Sequence, residues 1–149
     1  LNIGHLIMGT VGSFLAIACF AVLLECPKKY LPYAGLIGAV GGGGYLVSME
    51  LDTGAVIASF LSALVIAFLS HTFARGLHAP VTIFLIPGIR PTVPGAGMYR
   101  IIYYVMAGEN SKSAYYFIQT LEIAGMIALA IFLVGTFFKV LKRLFPQSV

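Results

Sequence analysis

Charged side chains are scarce in this sequence. Of its 149 residues, 9% are Asp, Glu, Lys or Arg and 60% are hydrophobic. A water-soluble domain carries roughly 25% charged residues, because its surface must be solvated. The shortage extends along the whole chain and is not confined to one tail. The composition therefore excludes a soluble domain and predicts a protein whose solvent is lipid.

Cysteine is also scarce, and its positions do not suggest a metal site. Cys19 and Cys26 lie in or near the first apolar stretch, without a CxxC pair or a zinc-like spacing. We interpret both as small packing residues. His71 and His78 also lack the spacing of metal ligands. Because no nucleophile–base pair is visible either, we expect no metal, no cofactor and no enzymatic activity.

Long apolar runs dominate the rest of the chain. A helix needs ~20 apolar residues to span a bilayer, and continuous runs favour helices over a porin-type barrel. No Lys or Arg precedes the first run, which we interpret as a retained span and not a signal peptide. The sequence predicts one all-α integral membrane domain over residues 1–149. Its spans are expected at residues 3–24, 31–49, 53–74, 79–108 and 113–138, with a basic tail at 139–149.

Small residues mark the second and third predicted helices. Gly35, Gly38 and Gly42 recur at i, i+3 and i+7, while Ser59 and Ser62 lie nearly one turn apart. Glycine on one face lets a neighbouring helix approach closely. Helix packing is the simpler interpretation, since a substrate path would require these residues to face a cavity.

The fourth segment, residues 79–108, departs from this pattern. As one helix it would measure about 45 Å, more than the ~30 Å hydrocarbon core. Prolines and glycines crowd residues 87–95 and rule out a continuous helix. Unwound backbone at membrane depth is tolerated only where protein or a water-filled cavity surrounds it. We predict a broken span, with a re-entrant hairpin as the alternative.

Basic residues are distributed unevenly between the predicted loops. Those on one side are Lys28, Lys29, Arg75, Lys139, Lys142 and Arg143, against Lys112 on the other. Loop Lys and Arg mark the cytoplasmic side. The distribution predicts an N-terminus outside, a C-terminus in the cytoplasm and an odd number of spans in the inner cell membrane. A re-entrant hairpin would place the basic tail outside, so the charges favour one broken span.

The residues of the break carry a family resemblance. Pro87-Gly88-Ile89 is followed by Pro91, Val93-Pro94-Gly95, Gly97 and Tyr99. This element resembles the small membrane subunit of the threonine/serine exporter family, although Arg90 stands where we expect an apolar residue. The resemblance implies a partner, a larger five-span membrane subunit with a soluble cytoplasmic domain. Two five-span halves of opposite orientation would form an inverted repeat, as in many transporters.

Arg100 and Glu122 interrupt apolar runs, and charges at membrane depth are usually functional or paired. Counted from the expected helix ends, both would lie ~12–13 Å deep, which allows a salt bridge. Either Arg100 binds a substrate carboxylate while Glu122 carries a proton or binds an ammonium, or the two form a structural pair. A half-helix starting near Gly97 would offer N–H groups to a carboxylate, and carbonyls around Pro87–Pro94 would accept from an ammonium. The candidate substrate-binding residues are Pro87, Gly88, Pro91, Pro94, Gly95, Gly97, Tyr99, Arg100, Gln119 and Glu122.

These features favour a membrane subunit of a two-component secondary transporter. It would export threonine, serine or a similar small carboxylate, driven by the proton gradient. The alternative is a channel-like or structural subunit whose partner holds the substrate site. Nucleic-acid binding is not expected, because the basic residues follow membrane topology and do not form a patch.

Overall fold

The computed structural model describes residues 3–145, and no strand occurs among them. This confirms the predicted all-α class for the described part of the chain. The first three helices end within two residues of the predicted bounds, and tail residues 146–149 lie outside the description. The elements are α1 (Ile3–Leu23), α2 (Leu31–Glu50), α3 (Ala55–Gly76), α4 (Thr82–Gly88), a 3-10 helix (Arg90–Thr92), α5 (Gly95–Met106) and α6 (Asn110–Leu144).

Three of these helices, α1, α3 and α6, are long and apolar enough to cross a membrane. The chain is therefore a multi-pass, all-helical membrane protein. The 20-residue α2 is not among the three; it is rich in glycine, and much of its surface is buried between its neighbours.

Helix α2 packs between α1 and α3 through its glycines. A Cβ on Gly38 would collide with Ile17 of α1, and a Cβ on Gly41 would collide with Ile66 of α3. The Ser62 hydroxyl of α3 donates a hydrogen bond of 2.7 Å to the Gly41 carbonyl of α2. These contacts confirm that the small residues serve helix packing. They also show that α1 and α3 of the same chain occupy this glycine surface.

Helix α6 runs parallel to α3. Ala63 clusters with Ile127 and Ala130, and Ala67, one turn further along α3, clusters with Val134 and Phe138 further along α6. At the end of α3 the Arg75 guanidinium donates a bond of 3.0 Å to the Phe138 carbonyl and stacks 4.8 Å from that ring. The basic residues of α3 and α6 are thus brought together at one end of the bundle, as the charge pattern predicts.

The fifth predicted span, residues 113–138, lies within a helix that is longer than predicted at both ends. Helix α6 has 35 residues and continues through Lys139, Lys142 and Arg143. Cations are favourable near a helix C-terminus, so the basic segment extends the helix and does not end it. If the register between α3 and α6 is extended to the start of α3, the first ~11 residues of α6 lie beyond it and extend ~16 Å past α3.

Helix α5 forms an antiparallel hairpin with this extension of α6. The Ser113 hydroxyl donates to the Ile101 carbonyl at 3.1 Å, and the rings of Tyr104 and Tyr116 stack 5.4 Å apart. Residues 98–107 were expected to be the second half of the broken span. Instead α5 lies beyond the C-terminus of α2 and the N-terminus of α3, because it packs along the N-terminal part of α6.

The break itself passes through the bundle and does not return to its starting end. Phe84 packs against Tyr30 near the basic end, with ring centroids 5.6 Å apart. Gly88 then faces Ile37 and Ile66, which lie ~9 Å from the start of α2 and ~15 Å from the end of α3 at 1.5 Å per residue. The chain reaches the opposite end before α5 begins. This path favours a broken span over a re-entrant hairpin.

Helices α1, α2, α3 and α5 share one type of C-terminal cap. In each, the second residue after the helix has a positive φ, and the next N–H bonds back to a carbonyl five residues earlier. This is the Schellman arrangement, which satisfies carbonyls that a helix end leaves unpaired. The positive-φ residues are Glu25, Asp52, His78 and Gly108. These caps explain how loops of only a few residues reverse the chain.

Candidate transport site

The break is held by its own turns, which use many of its carbonyls. The Ile89 carbonyl accepts from the Thr92 N–H at 3.0 Å and from the Thr92 hydroxyl at 2.6 Å, and the Arg90 carbonyl accepts from Val93 at 3.3 Å. The Val93 carbonyl accepts from Gly95 at 2.8 Å. The prediction that carbonyls around 87–94 are free to bind an ammonium is therefore wrong for these three.

Pro87 and Gly88 lie on the buried side of the break. Both are buried, and a Cβ on Gly88 would approach Ile37 within 3.0 Å. Packing alone therefore accounts for a residue without a side chain at 88. Pro94 is half-buried and precedes α5, whose start has no side-chain cap. The side chain of Pro91 lies outside the described residues.

Arg90 is the charged residue of the break, and it points towards α1. Its guanidinium lies 4.1 Å from the centroid of the Phe20 ring and makes no ion pair within residues 3–145. Its side chain is exposed, and a charge that faces lipid is unfavourable unless it is paired. We did not include Arg90 among the candidate site residues. A lone cation inside a Pro/Gly-rich segment was the signal that could have identified it.

Arg100 and Glu122 are not a pair. No ion pair joins them in the described structure, and both side chains are exposed. The Arg100 guanidinium instead lies 5.3 Å from the Tyr116 ring. The expectation of equal depth is wrong because α6 starts at Asn110, three residues before the predicted start, and α5 ends at Met106, two residues before Gly108. Counted along the hairpin, Glu122 lies ~9 Å further from its tip than Arg100.

The remaining candidates lie on the same hairpin. Gly97 allows α5 to approach α6, since a Cβ there would collide with the Thr120 hydroxyl. Gly95 is exposed, and Tyr99 is exposed with its ring stacked on Tyr103 at 6.2 Å. Gln119 is half-buried on α6. The structure thus divides the candidates between a bundle group at 87–88 and a hairpin group at 95–122.

Two clefts open beside the break, and a third lies on the hairpin. One of about 460 Å³ lies between α1 and Arg90. Another of about 340 Å³ lies at the basic end, where Cys26 and Pro27 face Ile83 and Pro87. Burial raises the pKa of the Cys26 thiol above its ordinary value. The third, about 410 Å³ between α5 and α6, has an entirely apolar lining. Within residues 3–145, no group of three His, Cys, Asp or Glu side chains could hold a metal ion.

These observations describe a helical membrane protein with a Pro/Gly-rich break and a cationic side chain beside it. Residues 9–137 match the family model described as Threonine/Serine exporter, ThrE. The chain belongs to the threonine/serine exporter family. Its members are transporters and not enzymes, which confirms both the resemblance and the expectation that the chain is not an enzyme. No solved structure matches the chain.

Proposed function

We propose that the chain is the membrane subunit of a two-component secondary transporter in the inner cell membrane. It exports threonine, serine or a similar small carboxylate, driven by the proton gradient. The observation that carries this proposal is the Pro/Gly break inside the helical bundle of a protein from an exporter family. Broken helices near mid-membrane are the usual binding element of secondary transporters.

The five passes through the bundle are the proposed membrane spans, formed by α1, α2, α3, the break with α4, and α6. The basic end faces the cytoplasm in this orientation. At the other end Lys112 pairs with Glu109, and Arg100 on the hairpin has no ion-pair partner among residues 3–145. The Arg75 contact with Phe138 keeps basic residues of two helices at the cytoplasmic end.

In this proposal the substrate passes along the break towards the hairpin. Pro87, Gly88, Pro91 and Pro94 shape the unwound path, and Gly95 and Gly97 open the start of α5. At the outer mouth, Arg100 attracts the carboxylate, with Tyr99 and Gln119 beside it. Glu122 carries the proton or meets the ammonium. An exposed carboxylate and guanidinium that are not paired with each other support separate roles.

The proposed partner is a larger five-span membrane subunit with a soluble cytoplasmic domain. The glycine surface of α2 does not argue for it, because α1 and α3 fill that surface. Helix α5 offers a better argument, since none of its residues is buried and its apolar side chains extend past the bundle. Those side chains are Met98, Ile102, Val105 and Met106, each more than half exposed.

Orientation can be tested with single cysteines at exposed positions. Leu51→Cys and Ser111→Cys, in a background with Cys19 and Cys26 changed to serine, should both react with a membrane-impermeant thiol reagent in intact cells. A cysteine at exposed Lys28 should react only after lysis. The reverse pattern would invert the proposed orientation.

Flux tests the function itself. We expect saturable, gradient-driven threonine or serine transport in proteoliposomes made from the complex that copurifies with this chain. Proteoliposomes of the purified chain alone should be inactive. Full activity from the chain alone would refute the two-component proposal. Non-saturable flux that does not depend on the gradient would favour a channel.

A further inference from the structure

The cleft beside α1 has a shape that the sequence pattern explains. Its α1 residues recur at the spacing of one helix face, and most of them are small. Gly12 has open space around it, since a Cβ there would meet nothing within 4 Å. The volume of about 460 Å³ lies within the ~300–1,000 Å³ typical of small-molecule sites. We call this feature the α1 cleft; its lining includes Gly9, Gly12, Ser13, Ala16, Phe20 and Arg90.

Arg90 is the charged residue that lines the α1 cleft. Its guanidinium sits over the Phe20 ring, a contact that holds the planar group by cation–π attraction and leaves its N–H edges available. No carboxylate pairs with it anywhere in residues 3–145. The Arg90 side chain is exposed, while Gly88, two residues earlier in the break, packs against Ile37 and Ile66 within the bundle. A cation exposed beside a membrane-embedded segment is unfavourable without a partner. An anionic ligand would supply the missing partner.

We propose that the α1 cleft binds the carboxylate of the exported amino acid, with Arg90 as its ligand. The proposal rests on the transport function given above. A guanidinium binds a carboxylate through two parallel hydrogen bonds, which an ammonium cannot reproduce. Ser13 lines the same cleft, and its half-buried hydroxyl, which lies beside Gly42 of α2, makes no hydrogen bond within the described residues. The Arg90 site lies on the surface of the bundle, between α1 and the break, whereas Arg100 lies on the hairpin beyond it.

Ligand protection of a cysteine tests this site without depending on transport. Gly12→Cys, in the complex lacking Cys19 and Cys26, places a thiol in the cleft without a collision. We expect threonine and serine to slow its reaction with a small maleimide, and threonine amide, which lacks the carboxylate, to have no effect. Gly4→Cys is the matched control, because it lies on the same helix with equally open space and does not line the cleft. Its labelling should not respond to threonine.

Substitution of Arg90 then tests whether this residue binds the carboxylate. Arg90→Ala should raise the threonine concentration for half-protection at least ~10-fold, as expected when a charge-assisted hydrogen bond is lost. Arg90→Lys should restore part of the protection. Unchanged protection in Arg90→Ala, equal protection by the amide, or no protection in the parent would overturn the proposal. If threonine protects the cysteine at position 12 but the parent complex does not export threonine, the result would support the binding site and refute the transport function.

Discussion

Gly38→Leu is expected to prevent α1 from packing on α2. A Cβ at position 38 would lie 2.6 Å from the Cβ of Ile17, and that atom is bonded directly to the α1 backbone. The side chain cannot move away by changing rotamer, so the helices must separate. One or two extra methylenes in a packed core cost ~1–3 kcal/mol, and a leucine in this contact should cost more. The measurement is the fraction of protein that stays monodisperse in detergent after heating.

Gly44→Leu is the matched control for this prediction. It introduces the same change on the same helix, six residues away, where a Cβ would meet nothing within 4 Å. Its thermal stability should equal or exceed that of the parent, because glycine costs roughly 0.5–1 kcal/mol relative to alanine inside a helix. Equal losses in both variants would show that the Gly38–Ile17 contact does not hold α1 in place.

Arg100→Ala and Glu122→Gln are each expected to reduce export at least ~10-fold while the protein remains inserted and assembled. The factor follows from losing one hydrogen bond to a charged group. Removing one member of a buried ion pair strands the other and destabilises the fold. These side chains are exposed and unpaired, so folding should tolerate either change.

The double variant separates a transport role from a structural one. Because the two residues do not pair, combining the changes should leave export as low as in the lower single variant. Arg100→Lys should recover part of the activity, since the charge stays but the two-pronged guanidinium is lost. Export restored in the double variant would indicate a salt bridge and refute the separate roles. Thermal stability of each variant, measured in parallel, excludes loss through misfolding.

Local features of the structure could be predicted from the sequence. The apolar runs predict the bounds of α1, α2 and α3 to within two residues. These bounds depend on residues that are close together in the sequence, namely the apolar run and the loop that ends it. The break at 87–95 was also predicted, since proline and glycine act on their own backbone. The spacing of Gly35, Gly38 and Gly42 predicted a packing face, although not which helix would fill it.

Features that depend on register between helices could not be predicted. The equal depth of Arg100 and Glu122 depended on where α5 ends and α6 begins, and shifts of two and three residues removed it. The position of α5 depends on Gly97 meeting Thr120, a contact between residues 23 positions apart. Arg90 appeared only as a departure from a family pattern. Only the structure shows that its guanidinium lies over the ring of Phe20, 70 positions away.

The unbroken length of α6 has a mechanical consequence. Its 35 residues form a rod of ~52 Å without an internal proline. Near its C-terminal end, the Arg75 contact at Phe138 provides a pivot, while its other end carries α5. A tilt of about 10° about that pivot would displace the far tip by roughly 7 Å, since the tip lies ~42 Å away along the helix. A small rotation at the basic end of the bundle is thus enough to displace the hairpin by that distance.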